Sequence, residues 1–256
     1  MDRKKEAFRR LVEIMDELRA KCPWDRKQTM ESLRHLTIEE TYELSEAIIT
    51  GNTADIKNEL GDLMLHIVFY AKIASEQGDF DLTDVLNGIC EKLIHRHPHV
   101  FGDTKAETAE QVKQNWEQLK LKEDRKSVLE GVPASLPPLV KALRIQDKVK
   151  SVGFDWEDAR GPLEKIREEI AELHEELQKG TSVQRIEAEF GDLLFSVINY
   201  ARFFGINPDS ALEKTNMKFI RRFCDMEEQA ASRNRNLADL SLEEMEELWQ
   251  RAKSGE

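Results

Sequence analysis

Residues that interrupt helices are scarce in this 256-residue sequence, which has only 12 glycines and 7 prolines. Tyrosine is rare too, at three, and no stretch of useful length alternates apolar with polar residues as a half-buried strand would. A sheet-based fold is therefore not expected. The three cysteines, Cys22, Cys90 and Cys224, stand far apart without CxxC spacing. They exclude a disulfide framework and point to a reducing compartment, so a cytoplasmic location is expected. No apolar run is long enough to span a bilayer, and Asp2-Arg3-Lys4-Lys5-Glu6 leads into an amphipathic helix rather than a signal-peptide core. Membrane partners are not expected. Positive charge is in deficit, with 38 Lys and Arg against 50 Asp and Glu, a formal net charge of −12. That balance argues against a generally basic nucleic-acid surface.

What is present is helix-forming and repeated. Glu39-Glu40-Thr41-Tyr42-Glu43-Leu44 is matched by Glu168-Glu169-Ile170-Ala171-Glu172-Leu173. Glu59-Leu60-Gly61-Asp62-Leu63 is matched by Glu189-Phe190-Gly191-Asp192-Leu193, and Lys92-Leu93-Ile94-His95-Arg96 by Lys218-Phe219-Ile220-Arg221-Arg222. Trp24-Asp25 and Trp156-Glu157 precede the two copies. In the first copy Ile56, Leu60, Leu63, Met64, Ile67, Val68 and Ala71 recur at helical spacing. Ile186, Phe190, Leu193, Leu194, Val197, Ile198 and Ala201 do so in the second. Each set predicts a stripe facing a core. Thr50-Gly51-Asn52-Thr53 and Lys179-Gly180-Thr181-Ser182 predict short turns, hence antiparallel helical hairpins. The fold class expected is all-α with two related modules, at 1–128 and 141–228. A Pro-rich linker at 129–140 separates them, and a helical tail at 229–256 opens with a capping box at Ser241–Glu244.

The chemistry is expected from carboxylate spacing. Residues three apart share a helix face, as Glu40 and Glu43, Glu59 and Asp62, Glu169 and Glu172, and Glu189 and Asp192 do. Two such pairs on antiparallel helices bring four acids together. Acids that close repel one another unless protonated or bridged by cations, and oxygen-only ligands favour Mg²⁺, Mn²⁺ or Ca²⁺. Water and a substrate phosphate would complete such a shell. Gly61 and Gly191, each inside its acid pair, suggest a close approach of backbone or ligand. A lone Glu-x-x-Asp is more often solvated surface than ligand pair; the duplicated, paired motif carries the weight.

With these residues in view, the sequence resembles the full-length, two-module MazG proteins over nearly its whole length. The likeness includes Cys22-Pro23-Trp24-Asp25 with Gln28-Thr29, both carboxylate motifs, His95-Arg96-His97-Pro98-His99-Val100-Phe101-Gly102, and Gly153-Phe154-Asp155-Trp156. The resemblance implies a Mg²⁺-dependent all-α enzyme, with Mn²⁺ a possible substitute. It would hydrolyse nucleoside triphosphates between the α- and β-phosphates and form a homodimer whose modules pack as four-helix bundles. It also implies metal ligands at Glu169, Glu172, Glu189 and Asp192, a water-orienting acid at Glu168, and phosphate contacts from Asn216, Lys218 and Arg222. Trp249 is a candidate to cover the nucleotide base, with ordinary packing as the alternative.

The copies are not equivalent. Aligned on Lys92 and Lys218, the first has Cys90 where the second has Asn216, and cysteine lacks the amide donor and acceptor. The first keeps Glu40, Glu43, Glu59 and Asp62 as possible metal ligands. His95, His97 and His99 follow no usual zinc spacing and read as a turn. The second module is expected to carry the main site. Two other readings fit the same acids. One is a house-cleaning hydrolase narrowed to a non-standard or deoxy nucleotide, as the hairpin shared with dimeric dUTPases and phosphoribosyl-ATP pyrophosphohydrolases allows. The other is a non-catalytic helical module that senses nucleotide or a regulatory protein.

Overall fold

The structure, a computed structural model, describes residues 2–102, 108, 111–112 and 127–255. Among them there are helices and turns but no strand, so the all-α expectation holds. The chain divides into two compact units, Met1–Leu119 and Lys120–Glu256.

In the first unit, α1 (Arg3–Lys21) starts at Asp2, whose side chain accepts from the Lys4 amide. Helix α2 (Met30–Thr50) opens with a capping box between Thr29 and Ser32 and stops at Gly51, whose φ of 72° an L side chain rarely adopts. Asn52 then caps α3 (Thr53–Gln77). Gly51 and Asn52 thus make the whole turn, and so short a turn forces α2 and α3 antiparallel. Helices α4 (Leu82–Arg96) and α5 (Pro98–Phe101) follow. The core joins Met15 of α1, Leu33 of α2, and Val68, Phe69 and Ile73 of α3.

The second unit repeats the hairpin. After turns at 128–131, α6 (Pro138–Lys150) starts on a proline, which needs no N–H partner at that position. Helix α7 (Arg160–Lys179) ends at Gly180, φ 60°, and α8 (Val183–Phe203) runs back along it. Helix α9 (Pro208–Ser232) and α10 (Leu242–Ser254) close the unit through Met226, Ala230 and Leu248. The capping box at Ser241 and Glu244 is formed. The boundary drawn at 228 falls inside α9, and α10 packs on α9, so residues 229–255 belong to the second unit rather than forming a separate tail.

The apolar stripes divide in a way that periodicity did not disclose. Val68, Ala71 and Ile198 are buried, but Leu60, Met64 and Ile67 on α3 remain 40–53% exposed. Their counterparts Phe190, Leu194 and Val197 on α8 are likewise 44–57% exposed. Helical spacing marks an apolar face; it does not say how much of that face one chain covers.

Candidate active site

Each hairpin brings three of its acids together. Carboxylate oxygens of Glu40, Glu43 and Glu59 lie within 4.8 Å of one another, as do those of Glu169, Glu172 and Glu189. The fourth acids stand at the edge. Asp62 acts on Glu40 and Glu59 through its charge, and Asp192 lines one cleft with Glu169, Glu172 and Glu189. Two helices are needed for either group, so the short turns at Gly51–Asn52 and Gly180 set the geometry.

The electrostatics record the crowding. Desolvation first, then the charges of Asp62 and Glu43, raise Glu40 above the usual carboxylate range. Glu59 is raised by desolvation and by Glu43, Asp62 and Glu40, and Glu40 and Glu59 share a hydrogen bond. In the second unit desolvation and Glu169 raise Glu172, while Lys165 opposes them. Three carboxylates converging this closely are the oxygen donor set that a hard divalent cation such as Mg²⁺ would relieve, and the residues of both groups fit such an ion.

The groups differ in one cation. Lys165 Nζ lies 2.8 Å from Glu169 Oε1 and 2.7 Å from Glu168 Oε1. It pairs the buried Glu169 and holds Glu168 beside it, outside the three-acid group. Its counterpart four residues before Glu40 is Leu36. Sequence reasoning overlooked Lys165; the usable signal was a lysine one helical turn before an acid of the cluster.

Asn216, Lys218, Arg222 and Trp249 sit on α9 and α10, and none lines the acidic cleft. Asn216 donates to Glu213 at 3.3 Å. The Arg222 guanidinium lies over the Trp249 ring, 5.6 Å from its centroid, and Trp249 also packs against Phe219. Gly61 and Gly191 have open space where a Cβ would stand, so among the described residues no backbone makes the close approach that was one of the two expected of them. Gly161, which drew no notice in the sequence, is where one occurs: a Cβ there would overlap the Trp156 indole. The histidine segment joins two helices: His95 lies in the last turn of α4, His99 lies in α5, and His97 between them has its Nδ1 2.6 Å from the Leu93 carbonyl oxygen.

A second cavity, of about 560 Å³, adjoins the cleft and shares Lys165, Glu169 and Asp192 with it. Its other walls include Val149, Phe154, Trp156 and Phe195, with Gln146, Ser196 and Asn199 as buried polar residues.

This geometry has known counterparts. The model of the MazG nucleotide pyrophosphohydrolase domain matches residues 28–101 and again 161–225, the two hairpins with their acids. A Thermotoga maritima protein named nucleoside triphosphate pyrophosphohydrolase/pyrophosphatase MazG is 45% identical over 97% of this chain and 96% of its own length. An Escherichia coli nucleoside triphosphate pyrophosphohydrolase is 42% identical over 96% of this chain and 97% of its own. The Bacillus subtilis protein YabN, described as uncharacterized, is 45% identical over 95% of this chain but only 51% of its own length. With both acid-bearing hairpins matched and relatives aligned nearly end to end, this chain belongs to the MazG family and carries the family's domain twice.

Proposed function

We propose that this protein is a nucleoside triphosphate pyrophosphohydrolase that releases nucleoside monophosphate and pyrophosphate, with its main site in the second unit. The observation that carries the reading is the group of Glu169, Glu172 and Glu189, with Lys165 beside it and a cavity opening from it. Acids alone repel a polyphosphate. Acids that also gather a divalent cation, next to an ammonium group, attract one.

Glu169, Glu172, Glu189 and Asp192 would hold Mg²⁺, which when bound neutralises phosphate charge and polarises the phosphorus–oxygen bond. Mn²⁺ suits the same oxygen donors. Glu168 orients the attacking water and takes its proton. The water oxygen forms a bond to one of the two phosphorus atoms flanking the α–β bridge, and the bond from that phosphorus to the bridging oxygen breaks; attack at the α-phosphorus expels pyrophosphate with the electron pair, attack at the β-phosphorus expels the nucleoside monophosphate. Lys165 positions phosphate oxygens. Asn216, Lys218 and Arg222 are assigned to the phosphate chain, with Trp249 backing the Arg222 guanidinium. The exposed faces Leu60–Met64–Ile67 and Phe190–Leu194–Val197 suit burial against a second copy, so the working form is proposed to be a homodimer. The first unit, which keeps its acids but has Leu36 for Lys165 and Cys90 for Asn216, takes a supporting or slower role.

The test is incubation with a panel of nucleoside and deoxynucleoside triphosphates, with and without Mg²⁺, followed by product identification. Monophosphate and pyrophosphate are expected, only with the metal. Diphosphate and orthophosphate would overturn α–β cleavage. Activity confined to one modified or deoxy nucleotide would favour the house-cleaning reading, and nucleotide binding without turnover the sensing module.

A further inference from the structure

Beyond its three converging acids, the cleft of the second unit holds a carboxylate oxygen that nothing in the chain completes. Glu176 lines this cleft together with Glu169, Glu172, Glu189 and Asp192. Its Oε2 is buried and has no hydrogen-bond partner. Its Oε1 lies 3.7 Å from Lys179 Nζ, and Lys179 sits closer to Glu175, at 2.6 Å. The Glu176 side chain is 16% exposed, so water does little to satisfy it. A carboxylate oxygen sealed from water without a donor is costly, and a proton or a cation must relieve it.

Position along the helix sets Glu176 apart from the three acids. Glu169, Glu172 and Glu176 follow one another on one face of α7, at steps of three and four residues. At about 1.5 Å per residue, Glu176 stands about 10 Å along the axis from Glu169. Oxygen ligands of one hard cation lie only about 3–4 Å apart. The oxygens that come within 4.8 Å of one another are those of Glu169, Glu172 and Glu189, without Glu176. Glu176 therefore serves a place next to that group, with Glu172, one turn away, as the acid common to both. The cleft measures about 500 Å³. One octahedrally hydrated cation takes about 200 Å³ at about 30 Å³ per water, so there is room for a second.

The first unit has no such group. Counting from the paired acids Glu40 and Glu169, Ala47 corresponds to Glu176, and it is 5% exposed. A hairpin of the same design thus folds with a methyl group at this place, so packing does not call for a carboxylate there.

We infer that the cleft of the second unit takes one more divalent cation than that of the first, with Glu176 and Glu172 among its ligands and water completing its shell. The inference rests on the reading of this cleft as a Mg²⁺ site. Lys165 and Glu176 both line the cleft from α7, and the eleven residues between their positions span about 16 Å of helix. The added ion neutralises phosphate charge that the Lys165 ammonium is too distant to reach.

The experiment titrates metal-free protein with Mn²⁺ and follows the free ion by electron paramagnetic resonance. Glu176→Gln is expected to lower the affinity for one Mn²⁺ per chain about tenfold or more. Glu176→Ala, which copies Ala47 of the first unit, guards against a misfit of the amide and is expected to show the same loss. Urea unfolding supplies a readout that a packing role would not move. Glu176→Gln is expected to be more stable than the parent in a chelator, because an unpartnered buried charge is gone. In saturating Mg²⁺ it is expected to be less stable than the parent. Equal Mn²⁺ binding by the parent and both variants would overturn the inference, as would a stability difference of the same sign with and without Mg²⁺. Glu172→Ala separates this inference from the reading beneath it. If Glu172→Ala also leaves Mn²⁺ binding unchanged, the cleft is not a metal site and both fall; if it alone lowers binding, only the role of Glu176 falls.

Discussion

Lys165 stands one helical turn before Glu169, with its ammonium nitrogen 2.8 Å from that buried carboxylate. The pair divides the two halves of the molecule, because the first hairpin has a leucine at the same place. Lys165→Met removes the counter-charge and leaves Glu169 unpaired. Lys165 is one-third exposed, so solvent tempers the loss to about 1–2 kcal/mol of stability in metal-free protein at neutral pH. Urea unfolding in a chelator reads this directly. Magnesium should restore more stability to the variant than to the parent; equal restoration would mean that Lys165 does not compete with the cation.

The two acid groups are expected to contribute unequally to turnover. Glu172→Ala should reduce nucleoside triphosphate hydrolysis about a hundredfold or more, in the range seen when an electrostatic element of a transition state is removed. Glu43→Ala should leave most of it. If hydrolysis survives loss of Glu172 but not of Glu43, the first unit carries the chemistry.

Acid sensitivity should arise partly at Glu76. Arg19, with Nη2 2.5 Å from Glu76 Oε2, ties α1 to α3 and also donates to the carbonyl oxygens of Asp25 and Gln28. The hydrogen bond from Arg19 holds the Glu76 carboxyl below its usual 4.5. A depressed acid stabilises the fold above its unfolded value, and the gain is lost as pH falls through the folded one. Glu76→Gln should therefore lower the melting temperature at pH 7, by the equivalent of about 1 kcal/mol or less given its exposure. The gap should narrow well below pH 4.5. A gap independent of pH would assign the effect to packing.

The exposed apolar faces give a test of association. A charge on each face, Met64→Glu with Leu194→Glu, should convert the proposed homodimer to a monomer in sedimentation equilibrium without reducing helix content. An association state that the double substitution leaves unaltered would show that neither face is used.

Much of this molecule was legible in its sequence, for identifiable reasons. Helix ends are written locally, in Thr29 with Ser32, in Gly51 and Gly180, and in Ser241 with Glu244. The acids were legible because three-residue spacing on two antiparallel helices leaves few places for Glu169, Glu172 and Glu189 to go. Lys165 was not, since a lysine on a charged helix is ordinary until the buried Glu169 appears beside it. Nor was the buried Gln146, whose amide donates to the Phe195 carbonyl oxygen, a contact made between helices far apart in the chain.

The duplicated stripes bear on how such a chain avoids endless growth. A molecule with two similar adhesive faces has a valence of two. A series of copies stays open unless both faces of each chain are met by the same partner or a ring closes. The proposed homodimer would close when both faces of one copy are covered by one second copy, either like on like or each on the other kind. The side chains give the two faces different shapes: Leu60, Met64 and Ile67 offer flexible and branched aliphatics, whereas Phe190 places a ring at the same register before Leu194 and Val197. In the proposed homodimer, that difference would favour one of the two closed pairings over the other.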